Sequence, residues 1–175
     1  MIGYRDVQRT ILDRVDRRAP VEQASRDALG RVLAADVMSS GPVPPFANTA
    51  MDGYAVRARS TLGATDDAPV RLEVVGDLPA GHAPTVAVGD GEAIRIMTGA
   101  PIPADADAIV IVERTERDGD DGVLVFAEAR EGDHVRAAGG DVAAGEVVFR
   151  AGTLLGPAHI GVLASIDVAR VPVFP

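Results

Sequence analysis

The first residues of the chain alternate between apolar and polar positions with the period of a helix. The apolar positions of this segment are Val7, Ile11, Leu12 and Val15. Since residues spaced by three or four positions share one face of a helix, they predict an amphipathic helix over residues 4–17. A second, shorter helix is predicted over residues 21–29, because Gly30 follows it as a helix-terminating glycine.

From residue 51 onward, the apolar residues occur in short runs between clusters of glycine, proline and aspartate. Runs of this kind predict strands, at residues 54–57, 70–75, 92–97 and 108–112. The turn at 118–122 predicts a hairpin, which joins strands 112–117 and 123–127. Further strands are predicted at 146–149, 153–155 and 168–173, with a helix at 157–165. The pattern as a whole predicts an α+β, β-rich fold.

Composition narrows the classes of protein to which the chain can belong. Its 175 residues, 47% of them hydrophobic, are enough for a packed core. The net charge is −9 and the 17 basic residues, all arginines, form no basic block, which argues against nucleic-acid binding. Cysteine is absent, which excludes disulfides and thiolate chemistry and fits a reducing cytoplasm. No apolar run is long enough for a membrane span, so we expect a cytoplasmic protein without a membrane partner.

The segment Pro44–Ala55, with the sequence PPFANTAMDGYA, is the strongest candidate for a binding loop. Its prolines keep the backbone extended, since proline has no amide donor and restricts the residue before it. Asp52 is followed at once by Gly53, which allows a tight turn or a close approach of another group. Loops placed directly before a strand often carry binding residues. An ordinary turn with a capping aspartate is the alternative.

A second acid, Asp141, also lies beside glycines in a predicted loop. Accessible carboxylates suit Mg²⁺, which commonly uses one or two of them together with phosphate oxygens. Both acids could instead form the side-chain-to-backbone hydrogen bonds of turns. Arg136 presents a planar donor fork suited to anionic oxygens, and an ion pair with Asp133 is its alternative role.

Three further polar residues are candidates for supporting roles. The Thr98 hydroxyl lies on a glycine loop and could hold a neighbouring acid or an oxyanion, or simply cap the turn. Asn48 and Thr49 could orient Asp52 through hydrogen bonds. The three histidines lack the spacing of a zinc site, so zinc is not predicted.

Four segments in order resemble the MoeA-type molybdopterin molybdenumtransferases, a family that includes the E domains of gephyrin and of its plant homologue. The segments are Gly30–Ala34, Pro44–Ala55, Arg95–Pro103 with Ala108–Val110, and the stretch that contains Arg136, Gly139, Asp141, Gly145 and Gly152. The resemblance covers nearly the whole chain. Two departures are Thr49, where a serine is usual, and Asp167, where relatives tend to have glycine.

The resemblance implies a particular domain organisation. A discontinuous domain I would comprise residues 1–42 and 143–175, of mixed and partly helical structure, and an inserted all-β domain II would comprise residues 43–142. It also implies a longer protein, in which a pterin-binding domain III and a domain IV follow; both are absent from this chain. We therefore expect the chain to be the N-terminal part of the enzyme and to be inactive alone.

The activity implied by the resemblance is a Mg²⁺-dependent replacement of adenylate on molybdopterin by molybdate, with release of AMP. Asp52 and Asp141 would be its essential acids in this half and would position Mg²⁺. Thr98 would support them, and Arg136 would bind substrate.

The resemblance also implies partners: the pterin substrate, a second subunit through domains I and III, and a molybdopterin adenylyltransferase as a candidate. A non-catalytic dimerisation or scaffold module, as gephyrin shows for this architecture, is the alternative. Whether molybdate or tungstate is inserted stays open.

Overall fold

The computed structural model describes residues 3–16 and 18–175. These residues form two compact units. Unit 1 contains the described residues up to Gly41 together with Ala144–Pro175, and unit 2 is the continuous segment Pro42–Ala143. Among the described residues, no helix has the length and apolar character needed to cross a bilayer.

Unit 1 is built on a three-stranded antiparallel sheet in which β13 (Arg170–Phe174) lies between β1 (Val21–Ala24) and β2 (Val32–Leu33). A second pair joins β3 (Val37–Met38) to β12 (Val147–Phe149). Its helices are α1 (Tyr4–Leu12) and α2 (Pro157–Ser165). The largest fully buried side chains of this unit are Leu33, Leu155, Leu163, Val171 and Val173.

The first helix of unit 1 is unusual because none of its residues is buried. Its apolar side chains are exposed, with Tyr4 at 81%, Ile11 at 57% and Leu12 at 63% of their accessible area. The helix ends at Leu12, earlier than the predicted end at residue 17, which lies outside the described residues.

The second predicted helix, over residues 21–29, is wrong. Residues Val21–Ala24 form strand β1, and Ser25–Asp27 form one turn of 3₁₀ helix. The strand pairs along its whole length with β13, with Val21 opposite Val173. A partner strand distant in sequence therefore overrides the local helical spacing, as tertiary pairing commonly does.

Unit 2 contains a six-stranded sheet with the order β8-β5-β7-β6-β10-β9. The strands are β5 (Gly53–Val56), β6 (Val70–Leu78), β7 (Glu92–Ile96), β8 (Ala108–Ile111), β9 (Thr115–Asp118) and β10 (Gly122–Val125). All neighbours are antiparallel except β6 and β7, which are parallel. A short pair, β4 (Asn48–Thr49) with β11 (Val135–Arg136), completes the unit.

The centre of the six-stranded sheet is buried on both faces. Every residue of β5 is buried, and alternate residues belong to different clusters. Tyr54 and Val56 pack with Leu72, whereas Ala55 packs with Ile94. Because side chains of a strand alternate between faces, this double burial fixes the register of β5 and thereby the position of Asp52 just before it.

The prediction of a β-rich fold with few helices is confirmed. Strands β5–β8 and β10 lie within a few residues of their predicted bounds, and α2 has the predicted bounds. Strand β9 begins only at Thr115, because Val112–Arg114 at the start of the predicted strand form a turn of 3₁₀ helix. The predicted strand 153–155 is reduced to one bridge between Leu154 and Val32. The assignment of the two units to domains I and II stays a prediction.

Candidate functional site

Asp52 lies in a bend between β4 and β5, with its side chain exposed. The next residue must be glycine, because a Cβ at Gly53 would collide with the carbonyl oxygen of Val110 on β8. The backbone of Asp52 is also fixed, since its carbonyl oxygen accepts a hydrogen bond from the Val112 amide at 3.1 Å. The close packing of β5 against β8 thus fixes the position of the Asp52 backbone, from which the carboxylate projects.

Thr98 holds one oxygen of the Asp52 carboxylate with two hydrogen bonds. Both the backbone amide and the hydroxyl of Thr98 donate to Asp52 Oδ1, each at 2.7 Å. The backbone bond, the hydroxyl bond and the positive charge of Arg95 lower the pKa of Asp52 below its usual value. Among the described residues, none donates to Asp52 Oδ2, so a charged oxygen stays accessible.

The turn that carries Thr98 is attached to β4 by backbone hydrogen bonds. The Gly99 amide donates to Thr49 O at 2.9 Å, and the Thr49 amide donates to Ala100 O at 3.1 Å. Gly99 has a positive φ of 86°, which suits glycine and directs the chain back toward β4. Two separate segments of the sequence are therefore fastened together at Asp52.

Among the described residues, the Thr49 and Asn48 side chains form no hydrogen bond with the Asp52 carboxylate, contrary to their predicted orienting role. The buried Thr49 hydroxyl closes a local turn, in which it donates to Met51 O at 2.5 Å and accepts from the Met51 amide at 3.1 Å. The Asn48 amide donates to Phe46 O at 3.3 Å. Its Oδ1 is buried and has no hydrogen-bond partner among the described residues. Both side chains therefore form hydrogen bonds with the backbone just before Asp52 and not with its carboxylate.

Arg136 lies on β11, directly opposite Asn48 of β4. Its side chain is exposed and has no ion-pair partner in the part of the chain that the structure describes. The alternative ion pair with Asp133 is not formed, because Asp133 Oδ2 instead accepts a hydrogen bond from the Arg130 amide at 2.7 Å. The guanidinium of Arg136 is therefore available to a ligand.

Asp141 is fixed through its backbone, whose amide donates to Val43 O at 2.9 Å. Its exposed carboxylate accepts no hydrogen bond from a described residue. The segments 43–50 and 134–142 run side by side. Val43 pairs with Val142 at one end, and the Ala50 amide donates to His134 O at the other. Asp141 therefore lies at one end of these paired segments and Asp52 at the other. The structure brings Asp52 and Thr98 into contact, but no direct contact joins the two acids.

In the described part of the chain, the accessible carboxylate oxygens do not by themselves form a complete metal site. Within residues 3–16 and 18–175, no group of three or more His, Cys, Asp or Glu side chains could hold a metal ion. Asp52 Oδ2 is nevertheless a hard, charged oxygen of the kind that Mg²⁺ takes when waters and phosphate oxygens supply its other ligands. The donor set fits a cation that arrives with its anionic ligand, and a Mg²⁺ site at Asp52 and Asp141 stays a prediction.

One charged residue of the site, Arg95, was given no role by the sequence. It belongs to the segment Arg95–Pro103, but nothing in the spacing connects it with Asp52. The sheet brings Arg95 near Asp52, because Arg95 on β7 is directly opposite Tyr54 of β5, two residues after Asp52. Asp52, Thr98 and Arg95 therefore make up the candidate site.

Comparison with known proteins adds independent information. The family model described as the MoeA N-terminal region (domain I and II) matches residues 2–166. The chain is 42% identical over 175 residues to molybdopterin molybdenumtransferase 2 of Mycobacterium tuberculosis (strain H37Rv), covering all of this chain and 43% of the relative. It is 38% identical over 153 residues to the molybdopterin molybdenumtransferase of Bacillus subtilis (strain 168), covering 86% of this chain and 36% of the relative.

A solved structure shows the same fold. The crystal structure of the molybdopterin biosynthesis MoeA protein from Pyrococcus horikoshii OT3 superposes with a TM-score of 0.93 at 35% identity. The match covers 99% of this chain and 46% of that one. The chain thus spans less than half the length of these relatives.

Proposed function

This chain belongs to the MoeA N-terminal family, and we propose that it forms the N-terminal part of a molybdopterin molybdenumtransferase. In this role, the complete protein replaces the adenylate of adenylylated molybdopterin by molybdate and releases AMP. The observation that carries the proposal is the fixed, charged carboxylate of Asp52, held by Thr98 with its second oxygen accessible.

Each site residue has a distinct part in the proposed reaction. Asp52 and Asp141 would hold Mg²⁺, which supplies positive charge at the phosphate and molybdate oxygens when bound. Thr98 keeps Asp52 oriented and ionised by donating both of its hydrogen bonds to Oδ1. Arg136, with its unpaired and exposed guanidinium, would bind an anionic oxygen of the substrate.

The separation of Asp52 from Asp141 along their paired segment bears on this assignment. Mg²⁺ commonly binds through one or two carboxylates, with waters completing its shell. The two acids therefore need not share one ion, and either can contact an extended anionic substrate at a different point. Contacts from a second subunit and from a pterin-binding domain would close the site.

The complete protein would be a cytoplasmic homodimer in which unit 1 is domain I and unit 2 is domain II. The exposed apolar residues of α1 support an association surface in unit 1, because apolar area of this kind is usually covered in an assembly. The same observation favours the second candidate function, a dimerisation or scaffold module without catalysis. A molybdopterin adenylyltransferase is a candidate partner for delivering the substrate.

Complementation of a strain deficient in molybdenum-cofactor synthesis tests the proposal. We expect the full-length gene to restore molybdoenzyme activity and the 175-residue piece alone to fail. Asp52→Asn and Asp141→Asn in the full-length gene should also fail. Asp120→Asn is the matched control, because this exposed hairpin acid has no partner among the described residues.

Rescue by both site variants, at equal protein levels, would remove the assigned roles of these acids. Failure of the full-length gene itself would favour the scaffold function. Growth on tungstate-replaced medium distinguishes the inserted oxyanion.

A further inference from the structure

Arg95 lies between two acids, Asp77 on the neighbouring strand β6 and Asp52 in the bend before β5. Strand β7 runs between β5 and β6, so Arg95 is flanked by Tyr54 on one side and by Asp77 on the other. Its Nη1 lies 3.4 Å from Asp77 Oδ2. On the β5 side, its charge contributes to the lowered pKa of the Asp52 carboxyl. The positive charge of Arg95 therefore has a negative charge on strand β6 and another in the bend before β5.

The guanidinium of Arg95 keeps most of its donors free. Arginine has five N–H donors, and in Arg95 only Nη1 has a partner among the described residues, at the long distance of 3.4 Å. Arg71 provides the contrast, since its Nε and Nη2 contact Asp118 and Asp121 at 2.7 Å and 3.0 Å. The Arg95 side chain is also half exposed, at 49%. Asp77 thus limits the orientation of the Arg95 guanidinium and leaves most of its N–H donors free for a ligand.

The charge pattern selects the kind of ligand that fits beside Asp52. A cation alone at Asp52 Oδ2 would be repelled by Arg95, and an oxyanion alone would be repelled by Asp52 and Asp77. A divalent cation bound together with a tetrahedral oxyanion avoids both repulsions. The cation would lie beside Asp52, and the oxyanion would accept hydrogen bonds from the free donors of Arg95.

We propose that Arg95 binds an oxygen of a tetrahedral oxyanion held beside Asp52, and that Asp77 is the positioning residue for its guanidinium. The inference rests on the proposed function and extends it, because it assigns an anion-binding residue that the sequence motifs left without a role. Molybdate and the phosphate of an adenylate share the required chemistry.

The test is an NMR titration of the 175-residue chain at constant ionic strength with Mg²⁺ present. One series adds molybdate and the other adds adenosine monophosphate, and the signals followed are the Thr98 amide and the Arg95 Nε–H group. The variants are Arg95→Gln, Arg95→Lys and Asp77→Asn. Arg117→Gln is the matched control, since it removes the same charge from an exposed arginine of the edge strand β9 that has no partner among the described residues.

We expect saturable shifts of both signals in the unmodified chain. The dissociation constant should rise at least about fivefold in Arg95→Gln, as expected for a lost charge-assisted hydrogen bond, and should rise less in Arg95→Lys. Arg117→Gln should leave it unchanged. Asp77→Asn removes a negative charge, which by itself would tighten anion binding, so weaker binding in this variant shows that Asp77 orients Arg95.

Saturation by molybdate, by adenosine monophosphate or by both supports the oxyanion role and identifies its source. Saturation by neither, or equal constants for Arg95→Gln and the control, overturns it. Tighter or unchanged binding in Asp77→Asn removes Asp77 from the proposal. These dissociation constants are measured without turnover. The predicted oxyanion binding can therefore be absent while the full-length gene still complements, and it can be present when complementation fails.

Discussion

Thr98 directs its backbone amide and its hydroxyl at the same oxygen of Asp52, each at 2.7 Å. The two residues are far apart in the sequence and meet because the Thr98 turn is bonded to β4. A carboxylate held in this way is fixed in orientation and favoured in its charged form, while its second oxygen faces outward. Asp52 and Thr98 therefore form the centre of the candidate site.

Removal of the Thr98 hydroxyl should raise the pKa of Asp52. Thr98→Val removes the hydroxyl bond and keeps the amide bond, so the pKa should move part of the way back toward its ordinary value. Thr98→Ser keeps both donors and should leave the pKa unchanged. A carbon-detected NMR titration of the Asp52 carboxyl measures these values, and an identical pKa in Thr98→Val would show that the hydroxyl bond contributes nothing.

The lowered pKa of Asp52 also determines the sign of its effect on stability with pH. Because the carboxyl is more acidic in the folded chain than in the unfolded chain, its contribution is present above the unfolded pKa. That contribution is lost as the pH falls through the folded pKa. In Asp52→Asn, the free energy of unfolding of unit 2 should therefore fall less steeply as the pH is lowered. Urea unfolding at several pH values measures this dependence. An unchanged dependence would contradict this linkage.

Gly53→Ala should destabilise unit 2 by about 2–4 kcal/mol, since the added methyl group meets backbone atoms of β8 that cannot move aside cheaply. Gly76→Ala, in the same sheet, is the control because its added Cβ would make only ordinary contacts at 3.7 Å with Ile94. Urea unfolding followed by NMR signals of Tyr54 reports on this unit separately. Equal losses in the two variants would exclude the close approach as the cause.

Asp167 has a φ of 55°, a left-handed conformation in which glycine is favoured. Asp167→Gly should therefore stabilise unit 1 by about 0.5–1 kcal/mol. This value is the backbone strain that glycine relieves, minus the larger conformational entropy that glycine loses on folding. Asp167→Ala retains the strain and should give no gain. Unfolding followed by signals of Leu163 measures the difference, and a loss of stability in Asp167→Gly would show that the aspartate side chain is itself stabilising.

The sequence predicted most strands of the six-stranded sheet because they are short runs bounded by glycine, proline or aspartate, but it missed the short pair of β4 and β11. It failed at residues 21–29, where pairing with β13 decides the structure and the partner strand is distant in the chain. It identified Asp167 as a departure but not its left-handed backbone, which is a property of the turn after α2.

The candidate site was predictable only in part. Asp52 and Thr98 stand out as polar residues beside glycines, whereas their two hydrogen bonds depend on how the Thr98 turn is attached to β4. Arg95 became part of the site only through the register of β5 and β7. The roles of Asp141 and Arg136 stay predictions, since both side chains are exposed and unpartnered within the described residues.

The most direct measurement is the rate of AMP release by the full-length protein, with adenylylated molybdopterin and molybdate, for Asp52→Asn beside Asp120→Asn. If the charged oxygen of Asp52 acts on the substrate, its loss should lower the rate at least about 100-fold, as loss of a preorganised electrostatic group does. The hairpin variant should keep the normal rate. Equal rates for the two folded variants would show that the charged oxygen of Asp52 does not act on the substrate.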